Sequence, residues 1–291
     1  MAKGFFTFAQ NSIAYFDEKI YVDYVKHAYA LAMSIQLTQK VKDITIAITP
    51  GYKVPDKYKQ VFDQIIEIPW GDMASNYDNK FHNEWKAGHI TPYDETIKIE
   101  ADMILTAPID DWWEYMSLYD VLFTNKVHNY RNEEITSRFC RKVFDTNNLP
   151  NVYNGFMYFK KDNSNSKDFF KMAEMITKDY EKFSNDFLDH TRPKLLDTDT
   201  IYGLAVKLLD KEAEFVRHDI DVPTFIHMKK ELMNWEMHYD SYAWTRCLKY
   251  YFDDKMNLYV SNYKQSLPFH YHEKNFLTED TIKMYEKALG I

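Results

Sequence analysis

Two carboxylates separated by a single residue, Glu100 and Asp102 in TIKIEADMIL (96–105), are the first chemical signal in the chain. The stretch has the β-branched and apolar content of a strand, and side chains at i and i+2 of a strand share a face. Two such carboxylates repel, so they stay ionised only beside a cation or buried donors. Hard divalent ions with oxygen ligands, Mg2+ or Mn2+, suit the pair, and substrate phosphates can complete their shell. A pair of solvated acids at a strand end is the other reading of the same spacing.

Other residues carry chemistry more ambiguously. Asp197 and Asp199 in LLDTDTIYGLAVK open a helical pattern, where Asp is a favoured N-cap. Asn154-Gly155 in NVYNGFMYFKK fits a bulge or turn as well as a ligand contact. Lys86 reads as a helix lysine, and His227 follows the apolar pair Phe225-Ile226, a setting for a packed histidine. Trp112 and Trp113 suit core packing. HYHEK (270–274) lacks the i, i+4 histidines of a metalloprotease helix and reads as surface. Cys140 and Cys247 are too few for a disulfide framework and read as buried thiols.

These residues hang on alternating elements. Strand patterns run over 4–10, 43–49, 65–68, 96–105, 121–124 and 151–161. Helical periodicity runs over 21–39, where Val22, Val25, Ala28, Leu31, Ala32 and Ile35 fall on one face. It recurs over 83–90, 166–183, 198–210 and 278–289, the last closed by Gly290. Alternation of this kind predicts an α/β fold, a mostly parallel sheet flanked by helices. Ligands of such sheets bind beyond the carboxyl ends of the strands, where Glu100 and Asp102 fall. No linker stands out, so one α/β domain over 1–232 with a helical annex over 233–291 packed on it is expected.

The 291 residues are 45% hydrophobic and 17% aromatic, enough for a large core, with only 7 Gly. No Gly-rich phosphate loop or dinucleotide fingerprint occurs. A formal net charge of −8 does not draw in nucleic acid as a whole-molecule field. A basic, aromatic stretch at 125–142 is the local exception; it carries Lys126, Arg131, Arg138, Arg141 and Lys142 around Tyr130 and Phe139, with Glu133 and Glu134 among them. Neither a signal-peptide core nor an 18-residue apolar run appears, so a soluble cytoplasmic chain with no membrane partner is expected.

Taken in order, these segments resemble nucleotide-sugar glycosyltransferases of the GT-A fold, the glycogenin-like retaining group most of all. The resemblance covers residues 4 to about 232, and its weight lies in the order of individually weak motifs. It implies that Glu100-Ala101-Asp102 is the family's Asp-x-Asp, with Glu replacing the first Asp and Ala101 beside the nucleotide. Glu100, Asp102 and His227, the last in FIHMKK, would then hold Mn2+ or Mg2+. Asn154 and Gly155 would lie near the donor sugar. Asp197 would stabilise the anomeric centre, with Thr198 where Gln is usual. Lys86 and Lys229 would meet phosphate. FAQNS would be the uridine loop, with Phe8, Ala9, Asn11 and Tyr24 as contacts.

A UDP-sugar is the donor this resemblance implies, with retention at the transferred sugar. In its Tyr-, Asn- and Lys-rich style the chain looks like glycosyltransferases encoded by tailed phages. Some of these modify 5-hydroxymethylcytosine in DNA, including with arabinose. That points to UDP-arabinose or UDP-glucose as donor and hydroxymethylated double-stranded DNA as acceptor. A glycan, lipid or protein acceptor is the alternative, as is a non-catalytic nucleotide-sugar-binding module.

Overall fold

Most of the apolar runs become strands that are buried on both faces. In the computed structural model, which describes residues 1–15, 19–188, 193, 196–229 and 244–291, they build two sheets. The larger contains β1 (Lys3–Ala9), β2 (Ile44–Ile48), β3 (Gln64–Glu67), β4 (Glu95–Ile99), β6 (Val121–Thr124) and β8 (Tyr153–Lys160). Its order is β3-β2-β1-β4-β8-β6. The first four strands are parallel, and β8 runs antiparallel to both of its neighbours. The smaller sheet contains β5 (Met103–Ile104), β7 (Val127–His128), β9 (Phe225–His227) and β10 (Phe269–His270), in the order β5-β10-β9-β7.

Alternation along β1 shows how the large sheet is sandwiched. Phe5 points into one core with Ile46 and Ile97, and Phe6 points into the other with Ala47 and Phe159. Helix α1 (Tyr24–Thr38) covers the first face. Helices α3 (Ser164–Lys178) and α4 (Thr198–Leu208) cover the second. Each wholly buried Phe contributes roughly 1.5–3 kcal/mol of transfer free energy. The short helix α2 (Trp112–Met116) buries Trp113 against Phe5, rings 5.6 Å apart, so the expected core role of that indole holds.

Three differences from the sequence reading matter for the site. The stretch 96–105 is two strands, not one: β4 stops at Ile99, and Met103 N donates to Glu100 O at 3.2 Å to close a turn. Glu100 and Asp102 therefore sit on a turn between two sheets rather than along one strand. Second, residues 19–22 pair with 12–15 as a hairpin, and the helix expected from 21 starts at Tyr24, capped by Asp23. Third, the segment after Trp244 is not purely helical. Tyr250–Phe252, Leu258–Val260 and Tyr263–Lys264 form an antiparallel sheet, β10 follows, and α5 (Glu279–Leu289) closes the chain against α1. The start of the expected annex, 233–243, lies outside the described residues. No helix among the described residues is long and apolar enough to cross a membrane.

Candidate metal and nucleotide-sugar site

The turn after β4 brings the two carboxylates to the wall of a cavity of about 900 Å3. Glu100 N donates to Gly155 O at 3.1 Å, which ties the turn to β8. Asp102 precedes β5, and β5 pairs antiparallel with β10, with His270 opposite Met103. That pairing carries a histidine from the far end of the chain to the carboxylates. His270 Nε2 lies 3.1 Å from Asp102 Oδ2 and 3.4 Å from Glu100 Oε2. One ligand atom from each of Glu100, Asp102 and His270 lies within 4.8 Å of the others. Lys274, one turn further on, pairs with Asp102 through its ammonium.

HYHEK is thus not a surface run. His270 and Tyr271 are buried, because Phe269-His270 is a strand between β5 and β9. The signal was present in its flanks: Pro268-Phe269 and Asn275-Phe276 frame the run with aromatic rings, and Phe269 and Phe276 pack 5.6 Å apart.

Burial would raise the Asp102 carboxyl, but Lys274 and His270 outweigh it and hold the group well below the usual carboxylate range. Glu100 goes the other way: burial and the Asp102 charge push it up against the pull of His270. Burial would lower His270, and the two carboxylates reverse that and raise it. Two acids with opposite shifts beside one imidazole form a donor set of hard oxygens and a borderline nitrogen. Such a set fits Mn2+ or Mg2+. The 28% exposed Glu100 side chain and the cavity beside it leave room for further oxygen ligands.

The residues expected at this site divide into two groups. Phe8, Tyr24, Glu100, Ala101, Asp102 and Lys229 line the one cavity. Asn154 and Gly155 stand directly behind it. Asn154 Nδ2 donates to Glu100 Oε1 at 3.2 Å and its Oδ1 accepts from Lys98 Nζ at 2.6 Å. A Cβ at Gly155 would meet Glu100 Oε2 at 3.2 Å and Phe225 Cζ at 3.1 Å, so any larger residue there would press on the Glu100 carboxylate. His227 is buried one strand over and stacks on His270, rings 4.6 Å apart and 10° from parallel. Burial, then His270, hold it well below its usual range, so it is a neutral ring.

The second group sits elsewhere. Lys86 is buried and donates to Pro69 O at 2.9 Å and Gly71 O at 2.6 Å; it does not line the cavity. Two carbonyls claim its ammonium, so it anchors a loop. Lys80 and Lys98 line the cavity instead, and Lys98 pairs with Glu84. Asp197 caps α4, accepting from Thr200 N at 3.3 Å and Thr200 Oγ1 at 2.8 Å, and burial raises its carboxyl. The acid tied to Asn154 is Asp199, which accepts from Asn154 N at 2.6 Å and pairs with Arg141 at 2.9 Å. Ala9 is buried in β1, and Asn11 donates to Tyr21 Oη at 2.8 Å; neither lines the cavity.

The basic stretch is largely neutralised within the chain. Arg138 donates from Nε to both oxygens of Asp145 at 3.1 Å, Lys126 faces Asp221 at 4.0 Å and Arg131 faces Glu133 at 3.9 Å. Arg141 is buried on Asp199, with its guanidinium 3.5 Å from the Tyr153 ring centre.

No protein-family model matches the chain, and no curated protein sequence matches it. Solved structures of similar shape include the apo form of the glycosyltransferase GlyE of Streptococcus pneumoniae, at 12% identity and a TM-score of 0.41, covering 75% of this chain. This chain spans 46% of that protein's chain, less than half its length. Mouse xyloside xylosyltransferase 1 aligns at 10% identity and a TM-score of 0.45, over 74% of this chain and 83% of its own. An active-site mutant of LgtC aligns at 11% identity and a TM-score of 0.43, over 69% of each chain. The architecture on which all of the site rests is a mixed α/β fold with a mainly parallel central sheet flanked by helices.

Proposed function

We propose that the protein is a metal-dependent glycosyltransferase that uses a UDP-sugar. The observation that carries this reading is the Glu100, Asp102 and His270 cluster on the wall of a large cavity whose rim also bears Lys229 and Lys274. His270 takes the ligand position expected of His227, which backs it by stacking. A divalent ion held by this set would act as a Lewis acid on the diphosphate leaving group. Lys274 and Lys229 add fixed positive charge on the same wall, where the leaving group gains negative charge. Tyr24, the uridine contact implied by the resemblance, lines the same cavity, and burial raises its phenol so that it stays protonated. Asn154, held by Lys98 and Asp199, fixes the Glu100 carboxylate in place.

The proposal extends to retention of configuration, to UDP-arabinose or UDP-glucose as donor, and to 5-hydroxymethylcytosine in duplex DNA as acceptor. The support for these is the sequence resemblance. The internal ion pairs of Lys126, Arg131 and Arg138 favour a second reading, an acceptor without a phosphate backbone, such as a glycan, lipid or protein. One screen separates them. UDP-sugars with Mn2+ are offered hydroxymethylated duplex, unmodified duplex and an oligosaccharide, with intact mass as the readout. Transfer to the modified duplex alone supports the DNA acceptor, and transfer to the oligosaccharide supports the second reading. Donor turnover that is unchanged in Asp102→Ala would remove the metal-site basis of both.

A further inference from the structure

Away from the carboxylates, Lys86 anchors a loop that displays a tryptophan. Trp70 sits at φ 59° and Gly71 at φ 79°, and the Trp70 side chain is 67% exposed. A bulky residue in the left-handed region is strained, and an exposed indole gains nothing from burial. Lys86 spans the strained residue, with hydrogen bonds to the carbonyls on either side of it. The indole is thereby held 6.3 Å from that of Trp85 and 12° from parallel to it. His89 stands edge-on to both rings, at 5.9 and 5.7 Å. Met73, Glu174 and Lys178 complete the walls of a cavity of about 270 Å3. The Trp85 Nε1 is buried with no partner among the described residues.

We propose that this aromatic pocket is a second binding site, for a neutral saccharide ring. Flat indole faces take the axial C–H edge of a sugar, and Glu174, Lys178 and the His89 imidazole supply the hydroxyl partners around it. The charge balance selects against the other ligands of aromatic boxes. Lys178 lies 5.3 Å over the Trp85 ring and Lys86 lies 5.6 Å from it, so an external cation would meet two ammonium groups. Lys178 also bonds Glu174 at 2.5 Å, which leaves little net charge to hold a phosphate. The loop continues into residues 76–81, which line the large cavity, so the two sites share one segment without sharing a wall residue. The site stands apart from the catalytic reading and does not need it.

The test uses the full chain and three probes: methyl β-D-glucopyranoside, cellobiose and maltotriose. Tryptophan fluorescence and saturation-transfer NMR are followed at millimolar concentrations. A saturable response to at least one sugar is expected. Trp70→Ala should weaken it about tenfold, and Glu174→Gln should weaken it less. Trp70 is exposed and Glu174→Gln is nearly isosteric, so both variants should fold, and their Mn2+-dependent UDP binding should match the parent. Silence with all three sugars overturns the proposal, as does a response that Trp70→Ala leaves intact. Stronger, Trp70-dependent binding of thymidine 5′-monophosphate would overturn it in favour of a nucleotide site. Unchanged Mn2+-dependent UDP binding in Asp102→Ala with the Trp70-dependent sugar response kept would overturn the catalytic reading alone, so the two failures are distinct.

Discussion

The carboxylate cavity and the tryptophan pocket are two ways of holding reactive groups in one fold. In the cavity, charge is buried and most of it is answered by a charged or hydrogen-bonding partner. Asp102 has Lys274 and His270, Glu100 has Asn154 and His270, and Lys98 has Glu84. In the pocket, the groups are aromatic and the device is backbone strain pinned by one buried lysine. Buried charges are bound to one another, so removing one strands its partner. Aromatic shelves lose only the contact that is removed. The two regions therefore differ in how they fail.

The largest contrast is expected from Asp102→Ala. It leaves the buried Lys274 ammonium without its carboxylate, which typically costs about 3–5 kcal/mol. It also removes a candidate ligand, so metal-dependent donor turnover should fall by roughly a hundredfold or more. Urea melts and Mn2+-dependent UDP-sugar hydrolysis measure the two effects. The double variant Asp102→Ala, Lys274→Met should regain stability but not turnover, and recovery of both would break the account of this region.

A pH effect comes next. His27 lies beneath the cavity, its Nδ1 2.6 Å from Tyr271 Oη, and burial followed by the Lys274 charge lowers it to about 3. The unfolded chain titrates this ring near pH 6.5 and so binds the extra proton first as pH falls. Stability is whole above about pH 6.5 and is lost progressively from there toward pH 3, by an amount on the order of 4–5 kcal/mol. Chemical denaturation at pH 7, 5.5 and 4.5 should show a shallower loss in His27→Gln than in the parent chain. Parallel curves would remove His27 from the ledger of buried charge.

A smaller effect separates the stacked histidines. His270→Ala should weaken Mn2+ binding by roughly 10–100-fold, in the range seen when support around a metal is lost or a ligand is removed. His227→Ala should cost less, because that ring touches His270 rather than the carboxylates. Isothermal titration with Mn2+ orders them, and a larger loss in His227→Ala would restore His227 as the ligand.

The smallest change belongs to the pocket. Trp70→Gly relieves the left-handed backbone and removes an exposed ring, so stability should stay within about 1 kcal/mol of the parent. A thermal melt checks it. A loss of several kcal/mol would mean that Trp70 is structural and that the two regions fail alike.

Much of the layout was legible in the chain because it is local. Six runs of β-branched and aromatic residues supplied the strands of the large sheet, and Asp197 and Gly290 mark helix ends as their chemistry requires. The pair Glu100 and Asp102 was also legible, since its signal spans three residues. The turn that carries it was less so, because whether a strand continues past Ile99 depends on what pairs with it. Gly155 O and β10 supply that answer from elsewhere in the chain.

What the sequence by itself determined is the period-2 and period-3.6 alternation of a parallel α/β sheet, and the acids at its carboxyl edge. Short-range sterics and burial dictate those features residue by residue. Only the tertiary structure decided which histidine meets the acids. His227 and His270 sit in neighbouring strands of one small sheet, in register with each other, and both lie among apolar or aromatic residues, Ile226 and Met228 beside the first and Phe269 and Tyr271 beside the second. The pairing of β10 with β5 puts His270 beside Asp102 and leaves His227 behind it. The same holds for Lys86. Its charge was visible in the chain, but the two carbonyls that claim it belong to a loop brought there by packing, and with it the tryptophan that the loop presents.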